Sequence, residues 1–166
     1  MSGSHSIVAR QSGQASLERP GDGLDRSLWA RTAPPAPTLP VLRGSHCAEV
    51  VVVGAGYTGL VTALALIERG VQVSIVDAHE PGFGASGRNG GQVIPVFKHE
   101  PEALVARFGE DVGRDMIDMV MRSADAVFEL IDRYGIDCDA KRTGWIQGAR
   151  RAAGEQTIRQ RCLAWR

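Results

Sequence analysis

Aromatic residues are scarce in this 166-residue chain, at 5%, and net charge is absent because 19 basic residues balance 19 acidic ones. A zero balance removes the electrostatic reason to expect nucleic acid or an anionic membrane as partner. Cysteine is limited to Cys47, Cys138 and Cys162. No two of them form a C-x-x-C pair, so neither a disulfide framework nor a zinc or other metal site is expected, and a reduced, cytoplasmic compartment follows. No apolar run approaches the roughly 18 residues of a membrane span. Residues 1–14 lack the charged-then-apolar pattern of a secretory signal; they are Ser-rich and read as an unstructured extension. Glycine, by contrast, is plentiful at 20 residues, without the Gly-X-Y period of collagen. The hydrophobic fraction of 43% excludes wholesale disorder.

The balanced charge is unevenly spread. Residues 141–166 hold Lys141, Arg142, Arg150, Arg151, Arg159, Arg161 and Arg166 against one acid, Glu155. That pattern reads as a solvated basic end, with an anion-binding face as the alternative.

Organisation along the chain follows from periodicity and punctuation. Residues 1–45 read as an irregular extension. Within them Pro34, Pro35, Pro37 and Pro40 exclude helix and favour extended backbone, and Leu28 with Trp29 just before is placed to anchor this arm on a groove. Val50, Val51, Val52 and Val53 form a β-branched run expected of a strand buried on both faces of a parallel sheet. Residues 60–69 repeat as a helix with Leu60, Ala63, Leu64 and Ile67 on one face and Gly70 as its stop. A second strand covers 71–76 and ends at Asp77. Helices are expected at 101–109, at 110–134 with Gly135 as stop, and from 155 to 166, with a strand at 143–149.

Between the first strand and its helix stand Gly54, Ala55, Gly56, Tyr57, Thr58 and Gly59, a Gly-x-Gly-x-x-Gly. Alone that pattern is weak, but here it follows a strand and opens a helix. Gly54 permits the sharp turn, Gly56 lets backbone approach a pyrophosphate, and Gly59 lets the helix sit close to the sheet. The N–H groups from Tyr57 to Leu60 then face phosphate at the positive end of the helix dipole. Asp77, 18 residues beyond Gly59, is placed to accept hydrogen bonds from the adenosine ribose. Dinucleotide binding is therefore the expected function of this segment.

The residues after Asp77 bear on which dinucleotide. Further strand–helix repeats would continue an NAD-type fold. Instead there is a glycine-rich loop with Ala85, Ser86, Gly87, Arg88, Asn89, Gly90, Gly91 and Gln92. Its glycines let backbone approach a planar ring. Arg88 supplies a positive charge, and Asn89 and Gln92 both donate and accept hydrogen bonds.

Taken together, the valine run with its glycine motif, Asp77 and the Ala-Ser-Gly-Arg-Asn-Gly-Gly-Gln loop resemble the N-terminal part of the FAD-dependent D-amino-acid oxidase-like superfamily. Within it the loop wording is similar to the gamma-glutamylputrescine oxidoreductase branch, as are residues 28–35 and 142–147. The likeness is strongest over 47–94 and is absent before residue 25. Asp77 stands where the superfamily more often has Glu, a shorter reach to the same hydroxyls. Relatives that attach FAD covalently use a His in the loop; none lies between Pro81 and Phe97.

The resemblance implies an α/β fold: a Rossmann-like FAD-binding strand–helix–strand unit of the glutathione-reductase type, then helices and the start of a substrate domain. It divides the chain into the extension (1–45), the N-terminal part of an FAD-binding domain (46–135) and an incomplete beginning of a substrate domain (136–166). It implies FAD as cofactor and oxidation of an amine or amino-acid C–N bond to an imine by hydride transfer, with oxygen as acceptor. No residue is identified as catalytic: His46, His79 and His99 read as surface or loop histidines, and Asp137 and Asp139 as a solvated turn. The chain is expected to be an inactive fragment of such an enzyme. An NAD-dependent dehydrogenase domain and a non-catalytic dinucleotide-binding remnant are the alternatives.

Overall fold

The computed structural model describes residues 7–10, 23–24 and 27–165. Most of the tail at residues 1–22, and Arg166 at the end of the last expected helix, lie outside the described residues. The chain forms two compact units, Met1–Gly90 and Gly91–Arg166.

The first unit is built on a small parallel sheet of β1 (Ile7–Arg10), β2 (Val50–Val53) and β3 (Val73–Asp77), in the order β1-β3-β2. β2 and β3 are in parallel register, Val50 opposite Val73 and Val53 opposite Val76. Parallel neighbours need a crossover, and α2 (Tyr57–Ile67) provides it. The buried core is Ala55, Ala63, Val73 and Ile75, with Val50, Val52, Leu60, Leu66 and Val71 packed against it. α2 ends where Glu68 N–H bonds the Leu64 carbonyl, and Gly70 takes φ +81° to turn the chain into β3. Among the described residues no helix is long and apolar enough to cross a membrane.

Two expectations change here. The run of valines is covered on one face only: Val50 and Val52 pack against the core, whereas Val51 and Val53 are 55% and 83% exposed. A valine run signals affinity for a pleated, buried surface, but burial on both faces requires a layer on each side. The stretch expected to be irregular carries two elements, β1 and the short helix α1 (Leu28–Thr32). Ser27 begins α1 by accepting the Trp29 N–H at 3.2 Å, a side-chain cap. After α1 the backbone is extended at Ala33, as the prolines require.

The second unit holds α3 (Pro101–Phe108), α4 (Glu110–Tyr134) and α5 (Ala152–Ala164). Pro101 sits in the first turn of α3, where its missing N–H costs nothing. Gly109, at φ +85°, separates α3 from α4. α4 carries Glu110 and Asp111 in its first turn and ends on Gly135 in the left-handed conformation, whose N–H reaches the Ile131 and Asp132 carbonyls. The helices cross closely at Gly113, where a Cβ would lie 2.6 Å from Val105 Cα. The long helix α4 falls in this second unit. The strand expected at 143–149 is absent: those residues form no regular element, Gly144 has φ +72° and Ile146 is 98% exposed. A strand exists only with a ladder partner, and none pairs here among the described residues.

Part of the basic end is ion-paired within this unit. Arg142 pairs with Asp125, Arg159 with Glu155 at 2.8 Å, and Arg161 with Glu100 at 3.1 Å.

In the first unit the β2–α2 junction leaves no room at Gly59, where a Cβ would fall on the Gly54 carbonyl oxygen and within 3.2 Å of Val52 Cγ1. Gly59→Ala is expected to cost about 1–3 kcal/mol by overpacking. Gly84→Ala, at φ −75° with nothing near its Cβ position, is expected to stay within about 0.5 kcal/mol of the parent. Urea unfolding of the two variants measures the difference.

Candidate dinucleotide site

The first unit gathers the glycine motif, the end of β3 and part of the glycine-rich loop at the N-terminus of α2. Gly56 is the N-cap of α2 and has no side chain to satisfy the first-turn N–H groups. The Tyr57 N–H instead donates to Ser86 Oγ at 3.0 Å. A Cβ on Gly56 would meet that same oxygen at 2.9 Å, so the missing side chain is what lets the loop hydroxyl reach the helix end.

Asp77 closes the opposite side. Its Oδ2 accepts the Ala55 N–H at 2.6 Å and its Oδ1 accepts the His79 N–H at 2.8 Å. One carboxylate therefore ties the last residue of β3 to the turn leaving β2. A carboxylate offers about four lone-pair positions, so these two bonds leave acceptor capacity for ribose hydroxyls. The Gly82 N–H donates to the Ala55 carbonyl at 2.9 Å, and the loop begins beside the glycine motif for that reason.

The loop itself turns through a 3-10 segment, Ala85–Gly87, closed by the Arg88 N–H on the Ala85 carbonyl at 3.1 Å. Asn89 Nδ2 donates to the Ser86 carbonyl at 2.7 Å and to Tyr57 Oη at 3.2 Å, which joins the loop to α2 a second time. Phe83 is contacted by two side chains. His79 stacks on it with ring centroids 4.0 Å apart, and the Arg88 guanidinium sits 5.0 Å from the ring centre while Arg88 Nε donates to the Phe83 carbonyl at 2.8 Å.

Of the residues expected to form the site, Gly54, Ala55, Gly56, Tyr57, Gly59, Asp77, Ser86 and Asn89 share one connected patch. Thr58, Ala85 and Gly90 belong to the same unit and are exposed, and Gly87 lies within the loop turn. Arg88 is held against Phe83. Gly91 and Gln92 fall in the second unit, so the eight-residue loop motif is divided between the two. Sequence reasoning missed Phe83 and His79 as loop organisers; their aromatic pairing at a spacing of four was the available signal. Trp29 does serve as an anchor, its Nε1 donating to the Asn89 carbonyl at 2.7 Å, whereas Leu28 is 64% exposed.

Elsewhere the described residues offer less chemistry. No group of three or more His, Cys, Asp or Glu among them is placed to hold a metal ion. All three cysteines are exposed free thiols. The second unit has an open cleft of about 380 Å³ at the end of α4, lined in part by Phe128, Ile131, Cys138 and Arg142. Asp137 and Asp139 beside it are exposed, the latter at φ +52°.

The patch has the parts a dinucleotide site needs: a helix N-terminus whose N-cap, Gly56, carries no side chain, a close approach to Gly56 that a Cβ would block, and a carboxylate at the end of the neighbouring strand. Comparison with known proteins bears on the family. The chain is 38% identical over 118 residues to gamma-glutamylputrescine oxidoreductase of Escherichia coli (strain K12), covering 71% of this chain and 28% of that protein. It is 39% identical over 104 residues to the "Probable oxidoreductase OrdL" of Haemophilus influenzae, covering 63% and 24%. The protein of the same name from Rhizobium meliloti is 34% identical over 116 residues, covering 68% and 26%. The chain thus spans about a quarter of the length of these curated relatives. No solved structure gives a significant match. The family described as FAD dependent oxidoreductase (DAO) matches residues 49–166, the stretch that opens with β2 and its glycine turn, and the chain therefore belongs to the DAO family of FAD-dependent oxidoreductases.

Proposed function

We propose that these residues form the FAD-holding front of an oxidoreductase acting on a small amine or amino acid, with β2–α2–β3 as a Rossmann-like cofactor unit. The observation that carries this reading is the meeting of Gly56, the Tyr57 N–H, Ser86 Oγ and Asp77 around one helix N-terminus. In this reading the first turn of α2 takes the pyrophosphate, its N–H groups and dipole favouring negative charge. Asp77 accepts from the adenosine ribose while keeping its bonds to Ala55 and His79. Ser86 and Asn89 hold the loop against α2, and Ala85, Gly87 and Gly90 allow backbone to approach the ring system. FAD, once bound, supplies the hydride acceptor for oxidation of a C–N bond.

An amine as substrate is supported by the name of the Escherichia coli relative, a gamma-glutamylputrescine oxidoreductase. The same comparison supports a further point. These 166 residues correspond to about a quarter of such an enzyme, and Ala85, Arg88, Asn89 and Gly90 of the loop are solvent-exposed. A redox site must exclude water and competing reactions. We therefore assign cofactor binding to this chain, and no turnover to it alone.

The purified chain is expected to carry flavin absorption in the visible, or to acquire it on incubation with FAD. Binding of NAD without flavin would sink the reading. Oxygen consumption with gamma-glutamylputrescine and with a panel of amines and amino acids is expected to stay at background, and specific turnover would overturn the inactivity proposed. Asp77→Asn removes a charged acceptor and is expected to weaken FAD about tenfold, measured by quenching of flavin fluorescence; unchanged affinity would remove Asp77 from the site.

A further inference from the structure

Ahead of the stretch matched to the family, and outside every residue assigned to FAD above, lies a short arm that contacts the flavin loop directly. Ser27 Oγ donates its proton to the Gly87 carbonyl and accepts the Trp29 N–H at 3.2 Å. One hydroxyl thus starts α1 and holds the loop. Two residues on, Trp29 Nε1 donates to the Asn89 carbonyl at 2.7 Å. Leu24 Cδ1 lies 2.7 Å from where a Cβ on Gly87 would stand. The Leu24 carbonyl in turn accepts the Ser27 N–H at 2.8 Å, so Leu24 and Ser27 are tied to each other as well as to the loop. The two loop carbonyls gripped by the arm belong to Gly87 and Asn89, flanking Arg88. Asn89 is also the residue whose side chain reaches Ser86 and Tyr57.

Resting on the FAD reading of this site, we infer that Leu24, Ser27 and Trp29 form a clasp that positions the 85–89 loop for the flavin half of the cofactor. The clasp acts through the loop, so these are positioning residues. A loop of small residues loses conformational entropy when it becomes ordered on binding a ligand, and restraint in advance reduces that cost. Selectivity between two parts of one ligand follows. The adenosine and pyrophosphate are met by α2 and Asp77, which the arm reaches only indirectly, through Ser86 and Asn89 of the loop, whereas the flavin half alone extends along the Gly87–Asn89 backbone that the arm grips.

The test uses the full chain with Trp29→Phe, which keeps an aromatic ring and removes the N–H donor, with Ser27→Ala, and with Leu28→Ala as the control on the same arm. Hydrogen exchange is followed at the Gly87 and Arg88 amides, which bond the Gly84 and Ala85 carbonyls; affinities for FAD and for ADP are measured in parallel. Trp29→Phe and Ser27→Ala are expected to speed exchange at both amides and weaken FAD about fivefold each, the scale of one net hydrogen bond, with ADP within twofold. Leu28→Ala is expected to change neither. Unchanged exchange overturns the clasp. Faster exchange with FAD unaffected, or equal loss of FAD and ADP, overturns its positioning role. If the parent chain binds neither nucleotide, the failure lies with the FAD reading, and the exchange result alone decides whether the clasp exists.

Discussion

At Gly59 the backbone of α2 lies so close to the Gly54 carbonyl that no side chain fits between them. This contact sets the angle at which α2 leaves the turn, and the rest of the first unit depends on that angle. It lays Leu60, Ala63 and Leu66 over Val73 and Ile75. It also brings the first turn of α2 to the strand ends where Asp77 and the loop are. The core it organises is small, with Ala55, Ala63, Val73 and Ile75 as its buried members. At about 1.5–3 kcal/mol for a fully buried aliphatic side chain, such a core has little surplus to offset a misplaced helix.

Polar contacts complete what packing begins. Asp77 is bonded to the turn by the Ala55 N–H, and Ser86 is bonded to α2 by the Tyr57 N–H. Both bonds run between backbone N–H groups that a glycine-rich turn cannot satisfy internally and side chains supplied from later in the sequence. The glycine motif is therefore finished by residues 22 to 29 positions away. The FAD family match begins at residue 49, one residue before β2, and the loop contacts surround the helix end where a dinucleotide phosphate is favoured.

Much of this was legible in residues alone. The valine run, the glycine spacing and the position of Asp77 are local signals, and each element arose where its signal stood. α4 runs over Glu110–Tyr134 with Gly135 left-handed at its end, as periodicity and punctuation indicated, because helix hydrogen bonds are made within the segment. Readings that needed a distant partner fared differently. Residues 143–149 carry apolar and β-branched residues but pair with no strand among the described residues, so no strand forms. Val51 and Val53 look identical in sequence to Val50 and Val52, yet only one pair meets the core. Ile7–Arg10 carried no strand signal strong enough to read; parallel pairing beside β3 makes it one.

By itself, then, the sequence determined the strand–glycine turn–helix unit, the acid at the end of its second strand and the family to which these belong. Those depend on φ/ψ permission and side-chain size at fixed spacing, both local properties. The tertiary structure alone decided which face of the sheet is covered, that Ser86 rather than Arg88 meets the helix N-terminus, and that Ser27 and Trp29 grip the loop some 60 residues away. Such contacts are chosen by which backbone carbonyls and N–H groups the folded chain leaves without partners, and no spacing in a sequence records that.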